Sequence, residues 1–456
     1  MKAALRPMVG KLESMEDVMG KRLTTVLVLL AAACALLFAG GGQEKTGPVK
    51  VSYMTWYTQG EEKQLLDKFM QENPKVTVEV EGVDGSKYGE ILKMRMTAGD
   101  LPDFITCKQN FVEMLMREGW ALDLTGEPSV KLLDRAPAVK EALTYRGKIY
   151  SFPHEAGVGY GQMYYNKLIF KKLGLPVTFA PKSIDEVEAA LDVIAKAGVE
   201  PVLFGAKDFW VTGFFTLRWF ESSLYGAIAA KNGGKLIEPN AAYYNGIAKP
   251  SDGLRFAFET LKKWQDRGWV SKNSLSMTWP ESFAYFAAGN AAVFPQGSWV
   301  PGMDETKNAD PAVLDLGCFS MPQKSVDGKN YASGYVDKML MVNAKAKQLG
   351  GAKNLLNWMA SESNLVYYLN YRKMGNFILP LSGLTPQPVF ADYAASLKAL
   401  NPVTILTVFP NVPGDEHTNL GQFSQAVLAG KSVNEALANV DAFYLEHKPE
   451  IKVPER

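Results

Sequence analysis

Three histidines, His154, His417 and His447, stand far apart, and the three cysteines form no CxxC pair. There is no HExxH, no Cys–His ligand spacing and no GxSxG elbow, so nothing marks a metal centre or a nucleophilic hydrolase. Gly159-Tyr160-Gly161 lacks the third glycine of a dinucleotide loop, and no GxxxxGK[ST] is present to cradle phosphates. Carboxylate pairs of the kind that hydrolyse glycosides meet only in space, so their spacing along the chain excludes nothing. The aromatics offer a different chemistry. Trp56, Trp210, Trp219, Trp279 and Trp299 stand in loop-like or element-terminal settings beside Gly, Pro, Thr and Ser. Trp264 and Trp358 lie inside helical patterns and read as core. Indole faces beside amides and carboxylates suit sugar rings, whose C–H faces stack while their hydroxyls pair with polar groups.

The chain that must position these groups has 456 residues, 47% of them hydrophobic and 21% charged, which excludes disorder and allows a sizeable core. Its 49 basic and 48 acidic residues leave a net charge of +1, which argues against a nucleic-acid surface. Length alone suggests two large units or three smaller ones.

An apolar run from Leu23 to Ala39 follows Lys21-Arg22 and precedes Gly40-Gly41-Gly42, the arrangement of an export signal over residues 1–40. An uncleaved anchor is the alternative reading of the same run. Met19 stands just before the basic pair Lys21-Arg22, so residues 1–18 can be an over-called start. Cys34 after Ala31-Ala32-Ala33 loosely resembles a lipidation box, although Leu36-Leu37-Phe38 continue the apolar stretch; cleavage near Ala39 to Gly41 is preferred, with acylated Cys34 the alternative. Cys107 and Cys318 then remain, either paired or as two buried thiols.

Val49–Met54 predicts a first strand, Glu61–Asn73 a helix with Leu65, Leu66, Phe69 and Met70 on one face, and Val76–Val80 a second strand. Lys87–Ala98 predicts a helix closed by Gly99, and Pro102–Thr106 a third strand. Strand and helix alternate, so the expected class is α/β with a mostly parallel sheet. Beyond residue 150 helices dominate: Ser183–Ala197, Ser251–Arg267, Pro280–Ala288, Gly350–Asn370 and Val433–Glu446. Asp103 reads as a turn carboxylate that caps backbone N–H groups.

Several stretches together resemble the extracellular solute-binding proteins of ABC importers, in the large family (maltose-binding-protein-like, family 1) that takes up oligosaccharides and related solutes. They are Tyr88-Gly89-Glu90 through Ala98-Gly99-Asp100-Leu101-Pro102-Asp103-Phe104, Gly119-Trp120-Ala121-Leu122-Asp123-Leu124-Thr125 and Gly147-Lys148-Ile149-Tyr150-Ser151-Phe152-Pro153. Tyr164-Tyr165-Asn166-Lys167-Leu168-Ile169-Phe170, Phe286 to Val293 with Gly297-Ser298-Trp299, and Leu428-Ala429-Gly430-Lys431-Ser432 follow in the family's order. After Pro181 the usual tryptophan is missing, where Lys182-Ser183-Ile184-Asp185-Glu186 stand.

The resemblance implies a two-lobed periplasmic-binding-protein fold of type II, lobe one over 48–153 with 323–372 and lobe two over 154–322 with 373–456. Three crossings would lie near Phe152 to Gly157, Phe319 to Gln323 and Arg372 to Phe377. It implies an exported, non-catalytic and monomeric receptor at the periplasmic or extracytoplasmic face. The receptor would need no cofactor and no metal; it would capture a carbohydrate, an oligosaccharide by preference, by hinge closure and hand it to ABC permease subunits. Cleft-facing loops would place Trp56, Tyr57, Gln59, Lys108, Gln109 and Asn110 from lobe one. His154, Glu155 and Tyr160 would stand beside the crossings, Asp208, Trp210, Trp279, Gln296 and Trp299 in lobe two. Gly334, Tyr335 and Asp337 follow the return crossing, and His417 falls where relatives often place a stacking aromatic. The alternatives are a polyol or glycerol phosphate as the solute, for which a phosphate would demand a cationic clamp, or a secreted carbohydrate-active enzyme.

Overall fold

The computed structural model describes residues 48–56, 60, 62–85, 87–159, 161–323, 325–375, 379–406, 416–449 and 451. The export signal of residues 1–40 with Cys34, the site candidates Tyr57, Gln59 and Tyr160, and Asn376-Phe377 of the third crossing lie outside them.

Twelve strands are described: β1 (Val49–Thr55), β2 (Val76–Gly82), β3 (Phe104–Cys107), β4 (Thr144–Tyr145), β5 (Lys148–Ile149), β6 (Phe152–Gly159), β7 (Gln162–Asn166), β8 (Glu200–Val202), β9 (Ala291–Pro295), β10 (Leu316–Ser320), β11 (Tyr331–Val342) and β12 (Val403–Leu406). They build one sheet in the order β12-β11-β3-β1-β2, with β6 also on β11, a second in the order β10-β7-β9-β8, and the small hairpin β4-β5. The fold is α/β, as the alternation of elements predicts, but the expectation of a mostly parallel sheet is corrected. β1 with β3, β11 with β12 and β8 with β9 are parallel, while β11 runs antiparallel to both β3 and β6, and β7 antiparallel to both β10 and β9. The physical reason is that β11 enters the first sheet late, returning from the second, and must insert beside β3 in the opposite direction.

Local chemistry explains the elements. All four residues of Phe-Ile-Thr-Cys in β3 are buried, as a strand flanked on both edges requires. The helix Lys63–Glu72 buries Leu65, Leu66 and Phe69, the predicted stripe, and Gly99 closes the helix Tyr88–Ala98 in the left-handed conformation at φ 72°. Asp103 caps as expected: one carboxylate oxygen accepts from the backbone N–H of Ser52 at 3.0 Å and the other from that of Gln348 at 3.0 Å. The predicted span Gly350–Asn370 is two helices, Leu349–Met359 and Glu362–Tyr371, because Ser361 turns extended between them (ψ 141°).

The helix Phe209–Lys231 went unpredicted, and it is the longest described. Trp219, expected in a loop-like setting, lies within it, fully buried against Phe215 and Trp264. This helix crosses Glu416–Leu428 at bare backbone: a Cβ on Gly213 would stand 1.7 Å from the His417 carbonyl oxygen, and one on Gly421 1.7 Å from that of Phe209. Cys107 and Cys318 are both free and buried, one in each sheet, which decides the open alternative in favour of two thiols; burial pushes both thiols up in pKa. Among the described residues no helix is long and apolar enough to cross a membrane.

Candidate functional site

Three half-buried indoles meet at the ends of three elements of the second sheet's layer. Trp210 is the second residue of Phe209–Lys231, Trp279 opens the helix Trp279–Ala287, and Trp299 follows β9 at the start of a short 3-10 turn. Ring centroids lie 5.6 Å apart for Trp210–Trp279 and 6.3 Å for Trp210–Trp299. Asp208 ties two of these elements together, accepting the Trp279 backbone N–H at 2.6 Å, so its carboxylate serves a helix N-terminus. Thr278 and Glu281 form a capping box on the same helix. Phe214 continues the aromatic surface, 5.2 Å from Trp299 and 5.7 Å from His417, whose helix is held close by the Gly213/Gly421 crossing. The indole N–H groups of Trp279 and Trp299 are buried without a hydrogen-bond acceptor among the described residues. Trp299 touches both apolar clusters of this half of the molecule.

A second group sits where β6 and β11 run side by side. His154 is wholly buried, its ring stacked on Tyr368 at 4.2 Å, with neither nitrogen hydrogen-bonded among the described residues. Desolvation drives its pKa well below the usual imidazole range, and the charges of Lys338 and Arg372 add to that. The Tyr368 hydroxyl donates to the Glu155 carboxylate, and the Lys338 ammonium lies 3.6 Å from it. Lys338, itself completely buried, also donates to Glu62 and, at 3.1 Å, to the Tyr368 hydroxyl. Tyr53 donates a further bond to Glu62 at 2.8 Å. Glu155, read from sequence as a cleft residue, is thus committed to an internal ion network. Glu62, Lys338 and Tyr368 escaped sequence reading, since their partners come from four separate stretches of chain.

Gln296 is 2% exposed, and both polar atoms of its amide lack partners among the described residues. Gln162, Ser298 and Ser320, not singled out from sequence, are likewise buried with unpartnered side chains. The signal for Gln162 and Ser320 was their position at the ends of apolar strands. The remaining candidates lie beside the first sheet. Trp56 meets Tyr88 edge-on at 5.4 Å, and Lys108 precedes the helix Gln109–Arg117, which Gln109 and Asn110 open. Gly334, Tyr335 and Asp337 lie on β11 opposite Gly159, Val158 and Glu155. The structure thus links Asp208 to Trp279, Trp279 to Trp210 and Trp210 to Trp299, with Phe214 between Trp299 and His417; it joins His154 and Glu155 through Tyr368, and leaves Trp56 and Lys108 with the first sheet.

This chain is similar to proteins of known kind. It is 28% identical over 352 residues to the "Multiple sugar-binding protein" of Streptococcus mutans serotype c, covering 76% of this chain and 78% of that one. Its fold matches the solute-binding protein RafE in complex with raffinose with a TM-score of 0.69 at 21% identity, covering 88% of this chain and 100% of that one. It also matches a sugar transporter from Bacillus licheniformis in complex with stachyose, with a TM-score of 0.67 at 19% identity, covering 86% and 98%. Residues 56–365 match the family described as bacterial extracellular solute-binding protein, a span that takes in the three indoles, the whole second sheet, four strands of the first and, from the buried network, Glu62, Glu155 and Lys338. The chain belongs to the bacterial extracellular solute-binding proteins.

Proposed function

We propose that this protein is the non-catalytic receptor of an ABC importer, capturing a carbohydrate, an oligosaccharide by preference, and delivering it to membrane permease subunits. The observation that carries this reading is the three-indole surface of Trp210, Trp279 and Trp299, with two indole N–H groups left unpartnered among the described residues. Such a surface offers faces for sugar C–H groups and donors for sugar oxygens in one place. The similarity to a multiple sugar-binding protein and to folds solved with raffinose and stachyose supports the same solute class.

In this reading residues 48–153 with 323–372 form one lobe and 154–322 with 373–456 the other, and the chain passes between them near Phe152 to Gly157, Phe319 to Gln323 and Arg372 to Phe377. Ligand held by both lobes favours the closed arrangement, and the permease reads that population. Trp56, Tyr57, Gln59, Lys108, Gln109, Asn110 and Tyr160 contribute from the first lobe and the crossings, with Gly334, Tyr335 and Asp337 on the return strand. The receptor works as a monomer on the extracytoplasmic face, freed near Ala39 to Gly41 or held by a lipid on Cys34.

A thermal-shift panel of mono- and oligosaccharides tests it. A ligand at about 100 times its Kd adds about 2.7 kcal/mol to the folded state, a shift that a melting curve resolves. Trp299→Ala should abolish most of that shift while leaving the unliganded melting point within a few degrees. Glycerol phosphate raising the melting point with every saccharide inert would replace the sugar by an anionic solute. Release of shortened products would replace the receptor by an enzyme.

A further inference from the structure

We propose that Gln162, Gln296 and Ser320 form a polar row that binds adjacent hydroxyls of an uncharged sugar and sets which sugar is accepted. The inference rests on the receptor reading above and adds the residues that discriminate. Ser320 on β10 is the register partner of Gln162 on β7. On the other side Met163 pairs with Pro295, and the Gln296 N–H donates to the Gln162 carbonyl at 3.2 Å, so Gln296 stands opposite Gln162. Directly opposed residues in antiparallel strands point to the same face, about 5 Å apart. The three side chains therefore form one continuous row across the sheet.

The next row on that face is Cys318, Tyr164 and Phe294, all buried in an apolar cluster. The polar row begins where the apolar face ends, at the end of the sheet that the chain enters from β6 through Gly161. Its members are 1%, 2% and 0% exposed, and among the described residues both amides and the Ser320 hydroxyl have no hydrogen-bond partner. The hydroxyl of Ser298 and the indole N–H of Trp299, just beyond Gln296, are buried and unpartnered in the same way.

Unsatisfied buried amides are costly, and a fold keeps them where something else completes them. The two amides of the row, with the hydroxyls of Ser320 and Ser298, present both donors and acceptors and no charge, the complement of a vicinal diol, whose oxygens each donate and accept. An anionic phosphate would find no cation in this row. A site built to bond a hydroxyl rejects the analogue that lacks it far more strongly than an apolar pocket rejects a methylene.

The test compares the parent with Gln162→Met and Gln296→Met, which keep side-chain length and delete the amide, and with Ser320→Ala, which removes a single oxygen. Melting points are taken without ligand, and affinities are titrated with raffinose, stachyose and a set of maltooligosaccharides. The proposal expects unliganded melting points equal to or above the parent's, together with affinity losses of about tenfold or more for the saccharide that the parent binds. Variants that melt below the parent, or fail to fold, show the row already satisfied by the protein and its waters, and overturn it. Unchanged affinity in any of the three removes that residue from the row, and in all three removes the row. A parent that binds no saccharide in the panel defeats the receptor reading itself, and the sugar assignment of the row falls with it.

Discussion

Replacing Lys338 by Met should be among the most damaging single changes available in this protein. The ammonium is completely buried, and Glu62 and Glu155, each 3% exposed, face it together with the Tyr368 hydroxyl. Deleting the cation leaves two buried carboxylates without the ammonium that lies against both. Removing one partner of a buried pair costs about 3–5 kcal/mol, against about 0–1 kcal/mol for an exposed pair. Lys63→Met, which breaks the surface pair with Asp67, is the matched control. Urea unfolding at neutral pH reads both values from the midpoints at constant slope. Adding Glu62→Gln to Lys338→Met should recover at least about 1 kcal/mol, because one of the stranded charges is gone. If Lys338→Met costs no more than Lys63→Met, the ammonium does not hold a buried ion cluster together.

Gly213→Ala should destabilise by about 1–3 kcal/mol or more through overpacking, because its Cβ would lie 1.7 Å from the His417 carbonyl oxygen; urea midpoints check this, and a neutral result would mean the two helices are free to separate. His154 supplies a pH signature. Its folded-state pKa is depressed by burial, so the unfolded chain takes up a proton first, below about pH 6.5. The stability it contributes is complete above that pH and is lost as pH falls toward the folded pKa, at up to about 1.4 kcal/mol per pH unit. His154→Phe should flatten the fall of stability between pH 7 and 5; parallel curves for parent and variant would show the imidazole protonated in the fold.

Much of the first half was legible because each element carries its own periodicity and its own stop signals, as in Lys63–Glu72 and Tyr88–Ala98 with Gly99. The helix Phe209–Lys231 was not, since it is apolar on every side and offers no stripe to detect; Gly213 and its bulky neighbours mimic a loop. Trp219 misled for the same reason, while Trp210, Trp279 and Trp299, at element ends, did come together. Ion networks are invisible in one dimension: nothing in the neighbourhood of Glu62 announces Lys338. The polar row was half visible, through Gln296, but the pairing of Gln162 with Ser320 exists only once β7 and β10 are in register.

The late insertion of β11 has a kinetic consequence. Asp103 and Gln348 are hydrogen-bonded although 245 positions apart, and β3 finds its second neighbour only when residues 339–342 arrive. Closing loops of that length is slow relative to local pairing, and the open edge of a hydrophobic strand is exposed to other chains until it happens. A nascent or translocating chain would therefore hold its first three strands in waiting until the return strand appears. Folding of the first sheet should be rate-limited by that single docking event, and chain concentration during this interval should decide between recovery and aggregation.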